Sequence, residues 1–169
     1  TDVLTKLPNR RFAMRKLEDE VSAAATAGAP LSVIMIDIDH FKLVNDKFGH
    51  DMGDLVLRET ASVLRATTRK GDHVCRLGGE EFVVICSKAT LAQASMTAER
   101  IRIAVEEHRI GFGYDRNVAV SLGVSSMQCG ARNVDELIKI ADRRVYIAKG
   151  DGRNRVCAAD EPPRQSLSA

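Results

Sequence analysis

The sequence predicts an α+β domain with a mostly antiparallel central sheet in the order βαββαβ. This is the split-βαβ or ferredoxin-like plan with one extra helix in front and helices flanking the sheet. Three observations carry that reading. The run 31–38, LSVIMIDI, is continuously apolar and rich in branched residues, as in a strand covered on both faces. Two short strand-like runs flank Gly78-Gly79-Glu80-Glu81 so closely that they must form a tight hairpin. Around them, separate segments carry apolar residues at helical spacing.

Taken in order, residues 9–27 read as a helix, with Met14, Leu17 and Val21 on one stripe. Pro8 precedes it, where a missing N–H does least harm, and Gly28-Ala29-Pro30 ends it. The strand 31–38 follows, then a helix over 53–69 with Val56, Thr60, Val63 and Leu64 inward. Strands are expected at 74–77 and 82–86, and a helix at 91–108 carrying Ala94, Ala98, Ile101 and Val105. A strand at 118–125 leads to a helix at 134–149, with Leu137, Ala141, Val145 and Ala148 on its buried stripe. Asp151-Gly152 breaks that helix, and 156–157 is a last short strand. The domain is thus expected over 1–157. The segment 158–169, with Glu161-Pro162-Pro163 and small polar residues, reads as a disordered tail.

The length of 169 residues suits one domain. Lys and Arg number 25 and Asp and Glu 23, a formal net charge of +2, which argues against a nucleic-acid-coating protein. Aromatic residues are 4% with no Trp, so a stacking platform for long single strands is not expected. Cys75, Cys86, Cys129 and Cys157 are too widely spaced for a CxxC motif and suit a reducing cytoplasm. No apolar run is long enough to span a membrane. The opening Thr1-Asp2-Val3-Leu4 has no initiating Met, so a regulatory or anchoring domain is expected upstream.

The chemistry gathers at strand ends. Asp37 and Asp39 close the apolar strand, and Glu80 and Glu81 occupy the hairpin turn. Lone acids in turns are usually solvated caps, but a charge ending a fully apolar strand is costly without a purpose. If the hairpin lies beside that strand, Asp37 and Glu80 converge and repel. A divalent cation relieves the conflict, and oxygen donors favour Mg²⁺ or Mn²⁺ over zinc. The bases are segregated too. Positions 6–16 hold Lys6, Arg10, Arg11, Arg15 and Lys16 without an acid, and 142–155 is locally +3. Beside a metal site, such patches suit a triphosphate.

Five motifs in order complete the set: Asp2-Val3-Leu4-Thr5-Lys6-Leu7-Pro8-Asn9-Arg10-Arg11; Asp37-Ile38-Asp39-His40-Phe41-Lys42-Leu43-Val44-Asn45-Asp46; Gly49-His50-Asp51-Met52-Gly53-Asp54; Arg76-Leu77-Gly78-Gly79-Glu80-Glu81-Phe82; and Ala141-Asp142 through Tyr146-Ile147-Ala148-Lys149-Gly150-Asp151-Gly152-Arg153-Asn154. Over residues 1–157 the chain resembles the GGDEF family, the bacterial diguanylate cyclases, with Glu80 in place of the Asp of the family name. The resemblance implies a palm-like fold shared with nucleotide cyclases, and condensation of two GTP into cyclic di-GMP with release of pyrophosphate. It implies that Asp37, Glu80 and the Ile38 carbonyl hold the metal, and that Glu81 is a second metal contact or the acceptor of the attacking hydroxyl's proton. Lys149 and Arg153 match the phosphate-gripping pair. Phe41 and Lys42 match positions at the β- and γ-phosphates, and Asn45 and Asp54 those that read guanine. His50 and Leu57 are candidates for the same pocket, each equally suited to a capping or core role. Gly78 and Gly79 leave room for a phosphate or base to approach the backbone.

The resemblance also implies control. Arg69-x-x-Asp72, ending five residues before the signature arginine-to-glycine segment closes on Gly78, sits where the family binds its product as an inhibitor, with Arg100 a candidate secondary arginine. A homodimer is implied for catalysis, each copy holding one GTP. The alternative is a non-catalytic receptor for GTP or cyclic di-GMP.

Overall fold

The run 31–38 becomes β1 (Leu31–Ile38), buried at every position because it lies mid-sheet. The computed structural model describes residues 1–111 and 117–160. Its other elements are α1 (Arg10–Ala27), α2 (Phe41–Phe48), α3 (His50–Thr67), β2 (Asp72–Gly78), β3 (Glu81–Ser87), α4 (Leu91–Glu107), β4 (Val120–Ser126), α5 (Val134–Gly150) and β5 (Arg155–Cys157). A 3₁₀ turn, Met127–Cys129, follows β4. The sheet order is β2-β3-β1-β4-β5, antiparallel throughout except for the parallel β4–β5 pair.

Side-chain alternation along β1 divides the core. Ile34, Ile36 and Ile38 pack with Val56 and Leu64 of α3 and with Ala98 and Ile101 of α4. Val33 and Met35 pack with Leu17 of α1 and with Leu137 and Ala141 of α5. The crossover helices α3 and α4 share one face, as the βαββαβ plan requires, and α1 and α5 cover the other. The helix starts are capped by side chains: Asn9 accepts the Phe12 N–H, Thr90 and Gln93 form a capping box, and Asn133 accepts the Glu136 N–H.

One element departs from the sequence reading. Residues 41–48 form α2, and α3 begins at His50 rather than Gly53. Only Phe41 and Val44 of α2 are buried, and its N-cap His40 is left-handed at φ 57° with no side-chain cap, so neither period nor cap signals it. Gly49, at φ 88°, separates α2 from α3. Cys75 and Cys86 are buried, and burial pushes their thiols up to about 11 and about 12. Among the described residues no helix is long and apolar enough to cross a membrane. Of the expected tail, residues 158–160 are described, and Asp160 pairs with Arg143 and the buried Arg144 at 2.9 and 3.3 Å. Residues 161–169 lie outside the described set.

Candidate active site

Asp37 stands one residue from the end of β1, directly across from Glu81 at the start of β3. Cross-strand partners share a face, here the one covered by α1 and α5. The last turn of α5 brings Lys149 to it, with Nζ donating to Asp37 Oδ1 at 2.8 Å. Burial pushes the Asp37 carboxyl above its ordinary range; Lys149 opposes the shift, and the charges of Glu80 and Asp39 add to it. Glu81 is raised by burial and then by Asp37, Asp142 and Glu80. A cavity of about 340 Å³ opens beside this group, lined by Asp37, Glu81, Asp142, Lys149, Arg10 and Tyr146. Arg10 is the member of the basic 6–16 stretch that reaches the site, where it counters the burial-raised Asp142.

Gly78 and Gly79 make the hairpin at φ 141° and 52°. An added Cβ would meet nothing within 4 Å at either, so the turn's backbone, not space, requires glycine in this structure. The Glu80 carbonyl accepts the Ile38 N–H at 3.2 Å, which ties the turn to the end of β1. The turn is also braced by Arg76, whose Nε and Nη2 donate to the Gly79 carbonyl at 3.2 and 2.8 Å. Arg76 Nη1 in turn binds both oxygens of Asp2 at 3.1 Å. Burial pushes the Asp2 carboxyl up, but hydrogen bonds from Thr5 and Arg76 outweigh it and hold it below its ordinary value. Residue reading assigned neither Arg76 nor Asp2 a role. Both stand inside quoted motifs, yet only the fold shows that 74 residues of separation close into one contact.

Asn45 lies on α2 and Asp54 on α3, both half-buried, and Gly53 of α3 faces Asn45. A Cβ on Gly53 would overlap Asn45 Oδ1 and lie 3.3 Å from the Phe41 ring, so this glycine makes room for the Asn45 amide. Phe41 is buried and Lys42 exposed at the start of α2. His50 is exposed, while Leu57 is buried in the core beside Val56. Arg153 is exposed in the turn after α5.

The donors at the strand end fit a hard dication. Among the described residues no three His, Cys, Asp or Glu side chains form a ready-made cage. Mg²⁺ does not need one, since it takes one or two carboxylates together with substrate phosphates. Asp37 and Glu80 could offer it two carboxylates and Ile38 a carbonyl. A buried carboxylate already paired with the Lys149 ammonium is a place where positive charge is stabilised.

The family model described as "Diguanylate cyclase, GGDEF domain" matches residues 1–155. The chain belongs to the GGDEF family. It is 42% identical over 156 residues to the diguanylate cyclase DosC of Escherichia coli K12, covering 92% of this chain and 34% of DosC. It therefore spans about a third of that relative's length. Its fold superposes on the GGDEF domain of DgcB from Caulobacter crescentus, solved in complex with c-di-GMP, with a TM-score of 0.88 and 33% identity, covering 95% of this chain and 93% of that one. It also superposes on the active GGEEF domain of a diguanylate cyclase from Vibrio cholerae, with a TM-score of 0.87 and 35% identity, covering 93% of this chain and all of that one (100%).

Away from the strand ends, this GGDEF domain closes the Arg69–Asp72 pair on itself. Arg69 Nε donates to Asp72 Oδ1 at 2.9 Å and Nη2 to the Ser87 carbonyl at 2.7 Å. The Asp72 side chain has 0% exposure beneath it. Arg100 Nε donates to the Thr67 carbonyl at 3.2 Å, so α4 delivers it to the turn that carries Arg69.

Proposed function

We propose that this domain condenses two GTP into cyclic di-GMP and two pyrophosphates, as a homodimer with one GTP per protomer. It would work in the cytoplasm under the control of an upstream domain. The observation that carries this is the convergence of Asp37, Glu80 and Glu81 where β1 ends and β3 begins, with Lys149 on Asp37 at 2.8 Å. The c-di-GMP seen with DgcB and the activity of the Vibrio GGEEF domain support it.

Asp37, Glu80 and the Ile38 carbonyl would hold Mg²⁺ or Mn²⁺, which when bound neutralises charge on the α-phosphate. Lys149 and Arg153 grip the phosphates. The N–H groups of Phe41 and Lys42, at the start of α2, face the β- and γ-phosphates, and the exposed turn of Gly78 and Gly79 lets the nucleotide approach the backbone. The 3′-oxygen of one GTP attacks the α-phosphorus of the other, the bond to pyrophosphate breaks, and the hydroxyl proton passes to Glu81. Partial desolvation and the neighbouring acids raise the proton affinity of Glu81, which makes it a better base than an isolated glutamate. Asn45 and Asp54 read guanine, whose N1–H and N2–H₂ donors suit a carboxylate. His50 lines the exposed mouth of that pocket.

Incubation with GTP and Mg²⁺ at high protein concentration should yield cyclic di-GMP, identified by mass. No product, even with an artificial dimerising fusion, would sink the reading. Gly53→Ala pushes a methyl against the Asn45 amide and should raise the KM for GTP about tenfold, with kcat changed less. Steady-state kinetics over a range of GTP concentrations check this.

The second proposal for this domain is feedback through Arg69, Asp72 and Arg100. Asp72 must be uncovered by movement of Arg69 before it can meet a guanine edge, while both arginines suit phosphate and the N7/O6 edge. Arg69→Ala should weaken inhibition by added cyclic di-GMP about tenfold or more, because a charge-assisted contact is lost. Initial rates with and without added product would show it.

A further inference from the structure

We infer that Asp39, with Arg102 on the far side, is a positioning residue of the nucleotide site: together they hold the turn 152–154 in the shape that presents Arg153. The inference rests on Arg153 being a phosphate-binding residue.

Asp39 lies two residues beyond Asp37, yet it has a different task. It is 7% exposed, and both of its oxygens are engaged. Oδ1 accepts the Ser121 hydroxyl at 2.6 Å, and Oδ2 accepts the Asn154 N–H at 2.9 Å. Its charge is thus turned toward β4 and the turn after α5. In that turn, Gly152, Arg153 and Asn154 have φ of 122°, 65° and 46°. Consecutive left-handed residues other than glycine are disfavoured and persist only where the surroundings hold them.

Backbone and side-chain hydrogen bonds hold this turn, beginning with the Gly152 N–H on the Lys149 carbonyl at 3.4 Å. Arg153 N–H donates to the Ala148 carbonyl at 3.0 Å, and Arg155 Nε donates to the Arg153 carbonyl at 3.0 Å. Arg102 Nη1 donates to Asn154 Oδ1 at 3.2 Å, and is itself set by Glu99 and Glu106 on α4. Asp39 supplies the buried contact and joins the turn to the strand end that carries Asp37. One strand end therefore fixes two parts of the site: Asp37 directly, and Arg153 through the backbone of its neighbour.

The sign of the effect separates this from simple electrostatics. Deleting a negative charge near a triphosphate should tighten its binding. Loosening the turn should weaken it, and only for ligands long enough to reach Arg153. We would titrate the whole chain with a non-reactive α,β-methylene analogue of GTP and with GMP, by calorimetry. Asp39→Asn is expected to weaken the triphosphate analogue about tenfold, the loss of one charge-assisted hydrogen bond. GMP binding should stay within about twofold. The double variant Asp39→Asn/Arg153→Ala should bind no more weakly than Arg153→Ala alone, since the two act as one unit. Arg102→Gln, at a half-buried position of α4, tests the same turn if Asp39→Asn folds poorly. It should give a smaller loss, again confined to the triphosphate.

Unchanged or tighter triphosphate binding in a folded Asp39→Asn protein overturns the clamp. So does an equal loss for the analogue and GMP, or losses that multiply in the double variant. If Arg153→Ala binds the analogue as the unaltered chain does, Arg153 grips no phosphate and both readings fall. If it loses affinity while Asp39→Asn keeps it, only the clamp falls.

Discussion

Asp37→Asn is expected to reduce cyclic di-GMP formation by about a thousandfold or more, because a metal-coordinating charge is worth several kcal/mol to a phosphoryl-transfer transition state. It should do so without unfolding the domain. Burial, Glu80 and Asp39 raise the Asp37 carboxyl above its ordinary value, with Lys149 only partly compensating. The sign of the linkage follows from that direction. A carboxyl that binds its proton more tightly in the folded chain is stabilised as pH falls through its folded pKa, and at neutral pH its ionised form weakens the fold. The neutral amide removes that cost, and Lys149, half-buried, can turn to solvent. The melting temperature of Asp37→Asn without metal should therefore equal or exceed that of the unaltered chain. Mn²⁺ should raise the melting temperature of the unaltered chain but not of the variant. Product assayed by mass, beside melts with and without Mn²⁺, tests all three statements. A variant that keeps a tenth of the activity would remove Asp37 from the metal site.

That trade of stability for function was partly readable from residues alone. A fully apolar strand ending in Asp37, and a Gly-Gly hairpin ending in paired glutamates, announced charged strand ends, and α4, α5 and β1–β5 fall within about two residues of where periodicity put them. α2 was not readable: eight residues with Phe41 and Val44 alone buried make too short a stripe, and no side-chain cap marks its start. Contacts between distant segments left no local trace. Asp39 could be read only as closing the apolar strand beside Asp37, whereas Ser121 and Asn154, 82 and 115 residues away, occupy its oxygens. Arg76 and Asp2 had no role until the hairpin was placed beside the N-terminal turn. Only the packed neighbours reveal that Gly53 and Gly123 are both there for space.

Gly123 carries the largest expected effect on stability. It lies in β4, paired with Met35 of β1 and with Cys157 of β5, and it does not have positive φ. Backbone freedom is therefore not what it provides. A Cβ here would fall on the Ala141 carbonyl oxygen, 2.6 Å from the Val145 nitrogen and 3.0 Å from the Arg144 carbonyl carbon. All three atoms are backbone of α5, so no side chain can swing away, and the helix itself must lift. Lifting α5 uncovers Leu137, Ala141 and Val145 and strains the pairing of β4 with β5. Gly123→Ala should cost about 3 kcal/mol, the upper range for overpacking, and lower the melting temperature by about 10 °C for a chain of this size. Gly123→Val should leave little folded protein. Gly71, where an added Cβ meets nothing within 4 Å and no positive φ is required, is the control. Gly71→Ala should be neutral or stabilise by about 0.5 kcal/mol, by restricting the unfolded chain. The functional consequence follows from the same displacement. α5 ends in Lys149 and the Arg153 turn, so Gly123→Ala assayed below its lowered melting point should lose turnover out of proportion to its folded fraction. Full activity per folded molecule would mean that the approach of α5 to β4 does not set the Lys149–Asp37 contact.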